Sequence, residues 1–515
     1  MEDNYYYCNG EKIFFEKSDK HQVYMIEDDK NIKKDKNFKL ADEPGILSLK
    51  RSLDNKLHMF EKVTSPFKAN LPAGAGEPGE EPTEVNGIKN IVIDSGNTET
   101  MILTKEFFIK FKDNTSQELI NDFLSSNELK LIKKKSELLY LVELPDYIEP
   151  MNKINRIYEQ YIVEYSTPNF TRLLTKQFIP NDEFYLQRQW SINKSTQHDL
   201  NLQEAWDITR GKPDVIIAIL DEGVDYLHKD LNVNGKLVEG FDSVKNLKNA
   251  NPLGNDAHGT HCAGVAAAEG NNNNEGICGI APGCRILGVR IANSSATDPE
   301  IWETNDEYIS DGIKYAAKEA HVLSNSWGMD FNSDLIIDAI SDAQRTGRNG
   351  DGCIICCCAG NYIAGQSNTN LLFPGNQENV ITVAASDKSG LYKNIDINLP
   401  LTGENTWKSR TGDQVDVCAP GVEIATTDIT GAMGVVGSGD YYFGFNGTSA
   451  STPHVAGIAA LMLSIRPRLK FERVKEIITA TATQRYAGGV RNRFVGFGLV
   501  DAHKALKMTE LEPLL

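Results

Sequence analysis

Residues 445–463 read FNGTSASTPHVAGIAALML, and the interpretation of the C-terminal part of the chain starts from this segment. Its run of small and apolar residues predicts a long helix over 449–465. Pro453 is expected in the first turn of that helix, where a proline is tolerated. The helix therefore places the hydroxyl of Ser449 at its N-terminal end.

Short apolar strands alternate with helices before this point. The predicted strands are 215–220, 285–291, 321–326, 353–358 and 380–386, and the other predicted helices are 258–268, 306–319, 334–344 and 471–483. Near-continuous apolar strands between helices indicate a parallel sheet that is buried on both faces. The sequence therefore predicts an α/β domain over 183–505, followed by a short tail over 506–515. Ligands on such sheets bind at the carboxyl ends of the strands.

The N-terminal part of the chain has a different pattern. Residues 99–170 follow the order βαββαβ, which is typical of a small ferredoxin-like α+β sandwich. Residues 70–84, NLPAGAGEPGEEPTE, have almost nothing to bury and predict a flexible loop. We therefore expect an N-terminal extension over 1–98, the sandwich over 99–170 and a linker over 171–182.

The composition of the 515-residue chain argues against several classes of protein. A formal net charge of −18 and a pI near 5.1 disfavour a general nucleic-acid binder or a protein of anionic membranes, since either would bring negative charge toward phosphates. No apolar run approaches the roughly 18 residues that span a bilayer. The opening MEDNYYYCNG has neither a basic nor an apolar region, so no Sec signal peptide is expected.

The nine cysteines are expected to be reduced. Four of them lie within 353–358, and neighbouring residues on a strand point to opposite faces, so they cannot all bridge one another. Their spacing does not match a zinc cluster either. Buried free thiols favour a reducing compartment, and we expect a cytoplasmic protein, with export by a non-classical route left open.

Four polar residues lie at strand and helix ends in an order that suits acyl transfer. Asp221 ends an apolar strand, His258 opens a helix, and Asn361 follows another buried strand. A serine hydroxyl is a weak nucleophile until an imidazole takes its proton, and that imidazole needs a carboxylate to fix its tautomer. The developing oxyanion needs donors such as an Asn amide and an N–H at a helix N-terminus. With Ser449, the sequence supplies all of these groups.

These segments resemble the subtilisin-like serine proteases, or subtilases. Three motifs carry the resemblance, namely HGTHCAG at 258–264, SNSWG at 324–328 and GTSASTPHVAG at 447–457. The resemblance covers about 181–505 and implies a subtilisin-like three-layer domain with a mainly parallel sheet. It implies that Ser449 is the nucleophile, His258 the base and Asp221 the carboxylate that orients the base. Asn361 would be the side-chain donor to the oxyanion.

The resemblance also implies where a substrate binds. The residues that match the cleft are Ser326, Trp327, Gly328, Ala359, Gly360 and Leu372. They would pair with an extended peptide and line its P1 pocket, with Leu372 near the pocket floor because it precedes FPG at 373–375. No acidic residue occupies that stretch, so we expect a preference for apolar P1 residues.

Calcium is the cofactor that the resemblance implies, and none is needed for the chemistry. A subtilase calcium loop follows the histidine helix, and here that stretch reads AEGNNNNEGICGIAP at 268–282. Asp230 and Asn273 match family ligands, and oxygen ligands of this kind suit Ca²⁺. A run of Asn is equally typical of a plain polar turn, so both interpretations stay open.

Several single residues need separate interpretation. Cys262 resembles the thiol beneath the catalytic histidine in the proteinase-K-like branch, or is an inert small hydrophobe. His261 and His454 are interpreted as structural. Glu222 stands where a small Ser or Thr is commoner in the family, and Lys229 stands where Pro is frequent. Neither departure removes a catalytic group.

The expected function is a serine endopeptidase that works through an acyl-enzyme. The sandwich at 99–170 resembles the inhibitory pro-domain of the family, so the chain's own N-terminal domain is an expected intramolecular partner, beside a protein or peptide substrate. No nucleic-acid or membrane partner is expected. Two alternatives stay open: a silent or permanently inhibited subtilase fold that acts as a binding protein, and a peptide ligase or macrocyclase with the same acyl-enzyme.

Overall fold

The chain divides into two compact units, Met1–Lys176 and Gln177–Leu515. The computed structural model describes strands between residues 5 and 94 and then residues 99–145, 150–174, 178–193, 198–233, 235–270, 274–295, 301–437, 439–484 and 491–513. Within the described residues, no helix is both long and apolar enough to cross a bilayer.

The C-terminal unit is built on a seven-stranded sheet in which all neighbouring strands are parallel. In spatial order the strands are Phe241–Asp242, Arg285–Arg290, Ile216–Asp221, Val322–Asn325, Ile354–Cys358, Ile381–Ser386 and Val415–Pro420. Their side chains are almost all buried, as a parallel sheet covered on both faces requires. The sequence predicts all but the first and last of these strands.

Helices cover both faces of this sheet and create two cores. The helices are Tyr185–Arg188, Leu202–Ile208, His258–Ala267, Asp306–Glu319, Asp334–Thr346, Thr448–Ile465, Phe471–Thr481 and Ala502–Glu510. One core contains Ile219 together with the histidine helix (His258–Ala267) and the serine helix (Thr448–Ile465). The other contains Leu220 and the two helices between residues 306 and 346. This three-layer arrangement confirms the predicted fold class.

Pro453 is the sixth residue of the serine helix, so the prediction that it lies in the first turn is wrong. A proline at that position removes the hydrogen bond to the carbonyl four residues earlier, which belongs to Ser449. That carbonyl instead accepts from Ser326 Oγ at 3.0 Å and from Cys262 Sγ at 3.7 Å. The carbonyl that lacks its helical hydrogen bond thus connects the serine helix to a strand end and to the histidine helix.

The N-terminal unit contains the predicted βαββαβ sandwich. Its elements are strand Glu106–Phe111, helix Gln117–Ser126, strands Lys130–Lys134 and Leu139–Glu143, helix Pro150–Tyr158 and strand Val163–Pro168. The four strands form an antiparallel sheet in the order second, third, first, fourth, which is the ferredoxin-like order. Buried residues alternate along the first strand, so that Phe107, Ile109 and Phe111 share one core with both helices.

A second sheet of the N-terminal unit changes two predicted boundaries. In spatial order its strands are Thr171–Leu174, Glu99–Leu103, Ile88–Asp94, His21–Met25, Leu57–Lys62, Leu47–Ser52, Asn37–Leu40 and Thr83–Val85. Residues 99–103 therefore belong to this sheet, and the sandwich begins at Glu106. The predicted linker 171–182 starts as a strand that pairs with Glu99–Leu103. The predicted loop 70–84 lies outside the described residues except for its last two positions.

The remaining elements are short. Paired strands are Tyr5–Cys8 with Glu11–Phe14, Asn293–Ser294 with Trp302–Glu303, Asn361–Ile363 with Trp407–Ser409, and Ile424–Thr427 with Tyr441–Phe445. Single 3₁₀ turns are Arg348–Gly350, Gly403–Thr406 and Gly431–Met433. At the C-terminus, the last helix continues to Glu510, past the boundary predicted for the tail at 506.

Candidate active site

Asp221 and His258 meet where a strand ends and a helix begins. Asp221 is the last residue of its strand and is fully buried. His258 opens the histidine helix, and its Nδ1 lies 2.9 Å from Asp221 Oδ1 and 3.0 Å from Oδ2. Only glycine fits next to His258, because a Cβ on Gly259 would lie 2.1 Å from the carbonyl oxygen of Gly223. The helix therefore packs directly against the strand end.

The contact with Asp221 sets both the tautomer and the basicity of His258. A carboxylate only accepts, so Nδ1 carries the proton and Nε2 is left as the proton acceptor. Burial disfavours the charged imidazolium, but the Asp221 carboxylate outweighs that cost and holds the pKa of His258 well above its usual range. The rings of Trp302 and Phe445 stand edge-on to the imidazole, with centroids 5.5 Å away.

Ser449 is the second residue of the serine helix and lies at the same edge of the sheet. Its Oγ donates to the main-chain oxygen of Ser326 at 3.0 Å. Within the described residues, no hydrogen bond joins Ser449 Oγ to His258. The hydroxyl therefore has to leave the Ser326 carbonyl before the imidazole can take its proton.

The side-chain amide of Asn361 is fixed at the start of the serine helix. Its Oδ1 accepts from the N–H of Thr448 at 2.9 Å and from Thr448 Oγ1 at 3.0 Å. Only the oxygen of an amide can accept from a main-chain N–H, so these bonds determine which way the amide faces. Gly447 has φ +109°, and a Cβ there would lie 2.7 Å from Asn361 Nδ2. Within the described residues this nitrogen has no hydrogen-bond partner, and it lies beside the residues that precede Ser449.

The residues predicted to bind substrate divide into two groups. Ser326, Trp327 and Gly328 directly follow the strand Val322–Asn325. Ala359 and Gly360 follow the neighbouring strand, but their N–H groups already donate to Val383 O at 2.9 Å and to Thr448 Oγ1 at 3.2 Å. The second group therefore offers surface to a peptide and no free N–H.

Leu372 lies against both groups. A Cβ on Gly328 would lie 2.7 Å from Leu372 Cβ, and a Cβ on Gly360 would lie 2.7 Å from Leu372 Cγ. Gly360 also has φ +93°, a conformation that favours glycine. The two glycines thus leave the half-buried side chain of Leu372 between them.

Of the two predicted calcium ligands, Asp230 lies beside the predicted calcium loop at 268–282, and Asn273 lies outside the described residues. Asp230 is fully buried, and its Oδ2 accepts from the N–H of Ile277 at 3.0 Å. Gly276 has φ +75°, and a Cβ there would lie 2.1 Å from the same oxygen. A side chain at Gly276 would collide with this carboxylate, so the glycine lets the backbone of the turn approach it closely. A carboxylate oxygen is the kind of ligand that a hard cation such as Ca²⁺ prefers.

A second buried carboxylate lies near this turn. Burial, together with the charges of Asp182 and Asp230, raises the pKa of the Cys278 thiol well above its usual value. Asp182 is 4% exposed. The burial of Asp182 near this turn was not predicted, because nothing in the sequence around residue 182 distinguishes it from an acidic residue on the surface.

The other two histidines of the motifs are structural, as predicted. His261 is buried, and its Nε2 lies 3.1 Å from Asp428 Oδ1. The ring of His454 lies between the carbonyl of Ala450, 2.8 Å from Nδ1, and Ser191 Oγ, 3.2 Å from Nε2. Burial lowers the pKa of His454 to about 4. Its ring therefore stays neutral over the usual range of pH.

Cys262 lies beside the imidazole of His258. Its Sγ is 3.9 Å from His258 Nδ1, and the thiol is fully buried. Burial raises the pKa of this thiol, so it stays protonated near neutral pH. This geometry fits the interpretation of Cys262 as a thiol beneath the histidine better than that of an inert small hydrophobe.

Two residues of the site were not assigned a role from the sequence. Thr448 orients both Asn361 and Gly360, and the signal for it was its place in the GTS motif before Ser449. Glu222 was noted as a departure from the family pattern. It is buried, and its Oε1 accepts the main-chain N–H of His258 at 2.9 Å.

Subtilisin-class serine peptidases carry the order Asp, His, Ser at the ends of parallel strands and at helix starts, and this chain has that arrangement. Residues 212–498, more than half of the chain, match the family model described as the subtilase family of peptidases. The chain belongs to the subtilase family and is a subtilisin-like serine protease.

Known relatives agree with this assignment. A thermophilic serine proteinase from Bacillus sp. (strain AK1) is 37% identical over 330 residues, which cover 62% of this chain and 70% of the relative. A calcium-dependent protease from Nostoc sp. is 26% identical over 556 aligned residues, covering 97% of this chain and 79% of the relative. Among solved structures, a protease from Pseudoalteromonas arctica superposes with a TM-score of 0.52 at 26% identity, covering 64% of this chain and 99% of that one.

Proposed function

We propose that this serine protease is an endopeptidase in which Ser449, His258 and Asp221 form the catalytic triad. The observation that carries the proposal is the contact of His258 Nδ1 with both carboxylate oxygens of Asp221, at 2.9 and 3.0 Å. This contact leaves Nε2 free to take the serine proton, and it stabilises the imidazolium that results. Ser449 Oγ then attacks the peptide carbonyl, and the imidazolium returns its proton to the leaving amine. Water releases the acyl group in the reverse sequence.

The oxyanion of the tetrahedral intermediate would be held by two donors. The first is Asn361 Nδ2, which its amide oxygen holds in place through Thr448. The second is the main-chain N–H of Ser449, one of the first N–H groups of its helix, which have no acceptor within the helix. Both donors are in place before the reaction, so no reorganisation is needed when the negative charge develops.

The same proposal includes inhibition by the N-terminal unit. The ferredoxin-like order of its four-stranded sheet, whose strands lie within 106–168, supports a pro-domain of the family type. The calcium-dependent protease from Nostoc sp. aligns with 97% of this chain, including this unit. We infer that the N-terminal domain inhibits the protease until the chain is cut.

Intact mass spectrometry of the wild-type chain beside Ser449→Ala tests catalysis and processing together. A fluorophosphonate probe should add its mass to the wild type, because only an activated serine reacts, and should leave Ser449→Ala unlabelled. The variant should also keep the full mass of the chain, whereas the wild type should lose its N-terminal unit. An unlabelled, folded wild type would favour a silent binding protein, and joined peptide products would favour a ligase.

Calcium binding is proposed for the turn beside Asp230. The buried carboxylate and the close approach of the turn at Gly276 support it, as does the relation to two calcium-dependent proteases. Bound Ca²⁺ would supply a charge that holds the turn, and it would take no part in the chemistry. Chelation with EGTA should lower the melting temperature of the wild type, and Asp230→Asn should have that lower value with or without EGTA. A wild type that does not respond to EGTA contradicts this proposal.

An apolar P1 residue is proposed for the substrate. Leu372 lies between Gly328 and Gly360, and the stretch 359–375 around it contains no acidic residue that would pair with Lys or Arg. Digestion of a peptide library should show cuts mainly after apolar residues. Dominant cleavage after Arg or Lys would contradict this specificity and leave the protease assignment intact.

A reducing, cytoplasmic location is also proposed. The eight cysteines whose side chains the structure describes are all buried, and none of these eight forms a disulfide, which supports it. Fractionation of cells that express the tagged chain would test it, and recovery from the medium alone would contradict it.

A further inference from the structure

Glu222 lies between the strand end of Asp221 and the start of the histidine helix. It is 3% exposed, so its carboxylate is not open to substrate. Its Oε1 accepts the N–H of His258 at 2.9 Å, and its Oε2 accepts from Ser294 Oγ at 3.3 Å. The side chain therefore links three segments of the chain around the general base.

The N–H of His258 needs this acceptor. The first N–H groups of a helix have no partner within the helix, and Ala257, at the cap position, has no side chain that could accept. A carboxylate beside a helix N-terminus is also favoured by the helix dipole. Glu222 thus supplies the cap that residue 257 lacks.

Consecutive residues hold the same histidine at two points. Asp221 holds the imidazole through Nδ1, and Glu222 holds the main-chain nitrogen. Two attachments from one strand end fix both the helix start and the ring that projects from it. We propose that Glu222 is a positioning residue for the general base of this protease, acting through the main chain of His258 and through its own negative charge.

The charge of Glu222 acts within a group of acids. Burial, together with the charges of Asp221 and Asp256, raises the pKa of Glu222 to about 7, although His258 opposes the shift. Asp256, which is also buried, accepts from the N–H of Ser294 at 3.3 Å. Glu222 and His258 therefore interact as coupled groups, and the ionised carboxylate favours the imidazolium.

Two substitutions separate the contact from the charge. Glu222→Gln keeps an oxygen for the N–H of His258 and removes the charge. We expect it to retain kcat within about twofold at pH 9 and to move the acid limb of the kcat/KM profile lower by about one pH unit. Glu222→Ala removes both the acceptor and the charge, and we expect kcat to fall about tenfold with little change in KM.

Asp225→Asn is the matched control. Asp225 is a buried carboxylate three residues away that accepts main-chain N–H groups, but those belong to Leu227 and Thr430. Asp225→Asn should leave the acid limb of the kcat/KM profile unchanged. Melting temperatures of all variants would separate a loss of activity from a loss of folding.

This inference rests on the proposed triad, and the two fail differently. If the fluorophosphonate probe does not label the wild type, the triad is refuted. If the wild type is labelled but the acid limb of Glu222→Gln coincides with that of the wild type, the charge does not act on His258. If Glu222→Ala keeps the wild-type kcat, Glu222 does not position the base.

Discussion

Replacement of Asn361 should lower activity and stability through different atoms of one side chain. Asn361→Ala removes the Nδ2 donor, and loss of one such donor costs about 10²–10³ in kcat. It also removes the acceptor of the Thr448 N–H. Because Thr448 is fully buried, that N–H stays unpaired and the free energy of unfolding should fall by about 1–3 kcal/mol.

Asn361→Asp separates the two effects. A carboxylate still accepts from the N–H and the hydroxyl of Thr448, so the stability of this variant should stay near that of the wild type. It offers no donor and places a negative charge near the oxyanion, so its kcat should fall at least as far as that of Asn361→Ala.

Two measurements check this reasoning. Steady-state kinetics with a peptide substrate, corrected for active sites by fluorophosphonate titration, give kcat, and denaturant unfolding gives stability. Wild-type kcat in Asn361→Ala would refute the proposed donor. An equal loss of stability in both variants would refute the role of Thr448.

Four further outcomes follow from the site. Ser449→Ala should lose on the order of 10⁶ in kcat, the loss known for the subtilisin nucleophile, and near-wild-type hydrolysis would refute the triad. In the folded protein the pKa of Glu222 is about 7, above its ordinary value of 4.5, so the folded state favours the neutral carboxyl. The contribution of this group to the free energy of unfolding is therefore fully present below pH 4.5 and is lost as the pH rises through 7. The melting temperature of Glu222→Gln minus that of the wild type should therefore grow from pH 5 to pH 8, and a constant difference would contradict this. A mercurial should inactivate the wild type by displacing His258 from above Cys262, and Cys262→Ala should resist it; equal sensitivity would implicate another thiol. Leu372→Ala should widen the slot beside it and raise the share of cuts after large apolar residues, and an unchanged cleavage profile would exclude a role in P1 selection.

The fold was predictable where apolar periodicity alone determines an element. The strand Ile354–Cys358 is buried at every position, and its neighbours Cys356 and Cys357 lie in different cores, as strand alternation requires. The strand Val415–Pro420 was missed because Asp416 interrupts its apolar run. Asp416 is buried there because it binds Lys475 Nζ at 2.9 Å and the N–H of Thr382 at 2.9 Å. Partners that far along the chain leave no local signal.

The candidate active site, like the fold, was predictable only in part. Its motifs lie at strand and helix ends, so the positions of Asp221, His258 and Ser449 could be read from the sequence. The bonds that orient the side chains could not. Asn361 meets Thr448 across 87 residues of chain, and Ser449 meets Ser326 across 123. Such contacts exist only after the sheet has brought its carboxyl edge together.

At Pro453, the stability of the serine helix and the geometry of the site favour different residues. If Pro453 became Ala, its new N–H would compete with the hydroxyl of Ser326 for the carbonyl of Ser449. The helix would gain an internal bond, and the nucleophile's own peptide group would lose its attachment to the neighbouring strand end. Directed evolution for heat resistance alone would favour that exchange, so a selection that also scores turnover is needed to keep the proline.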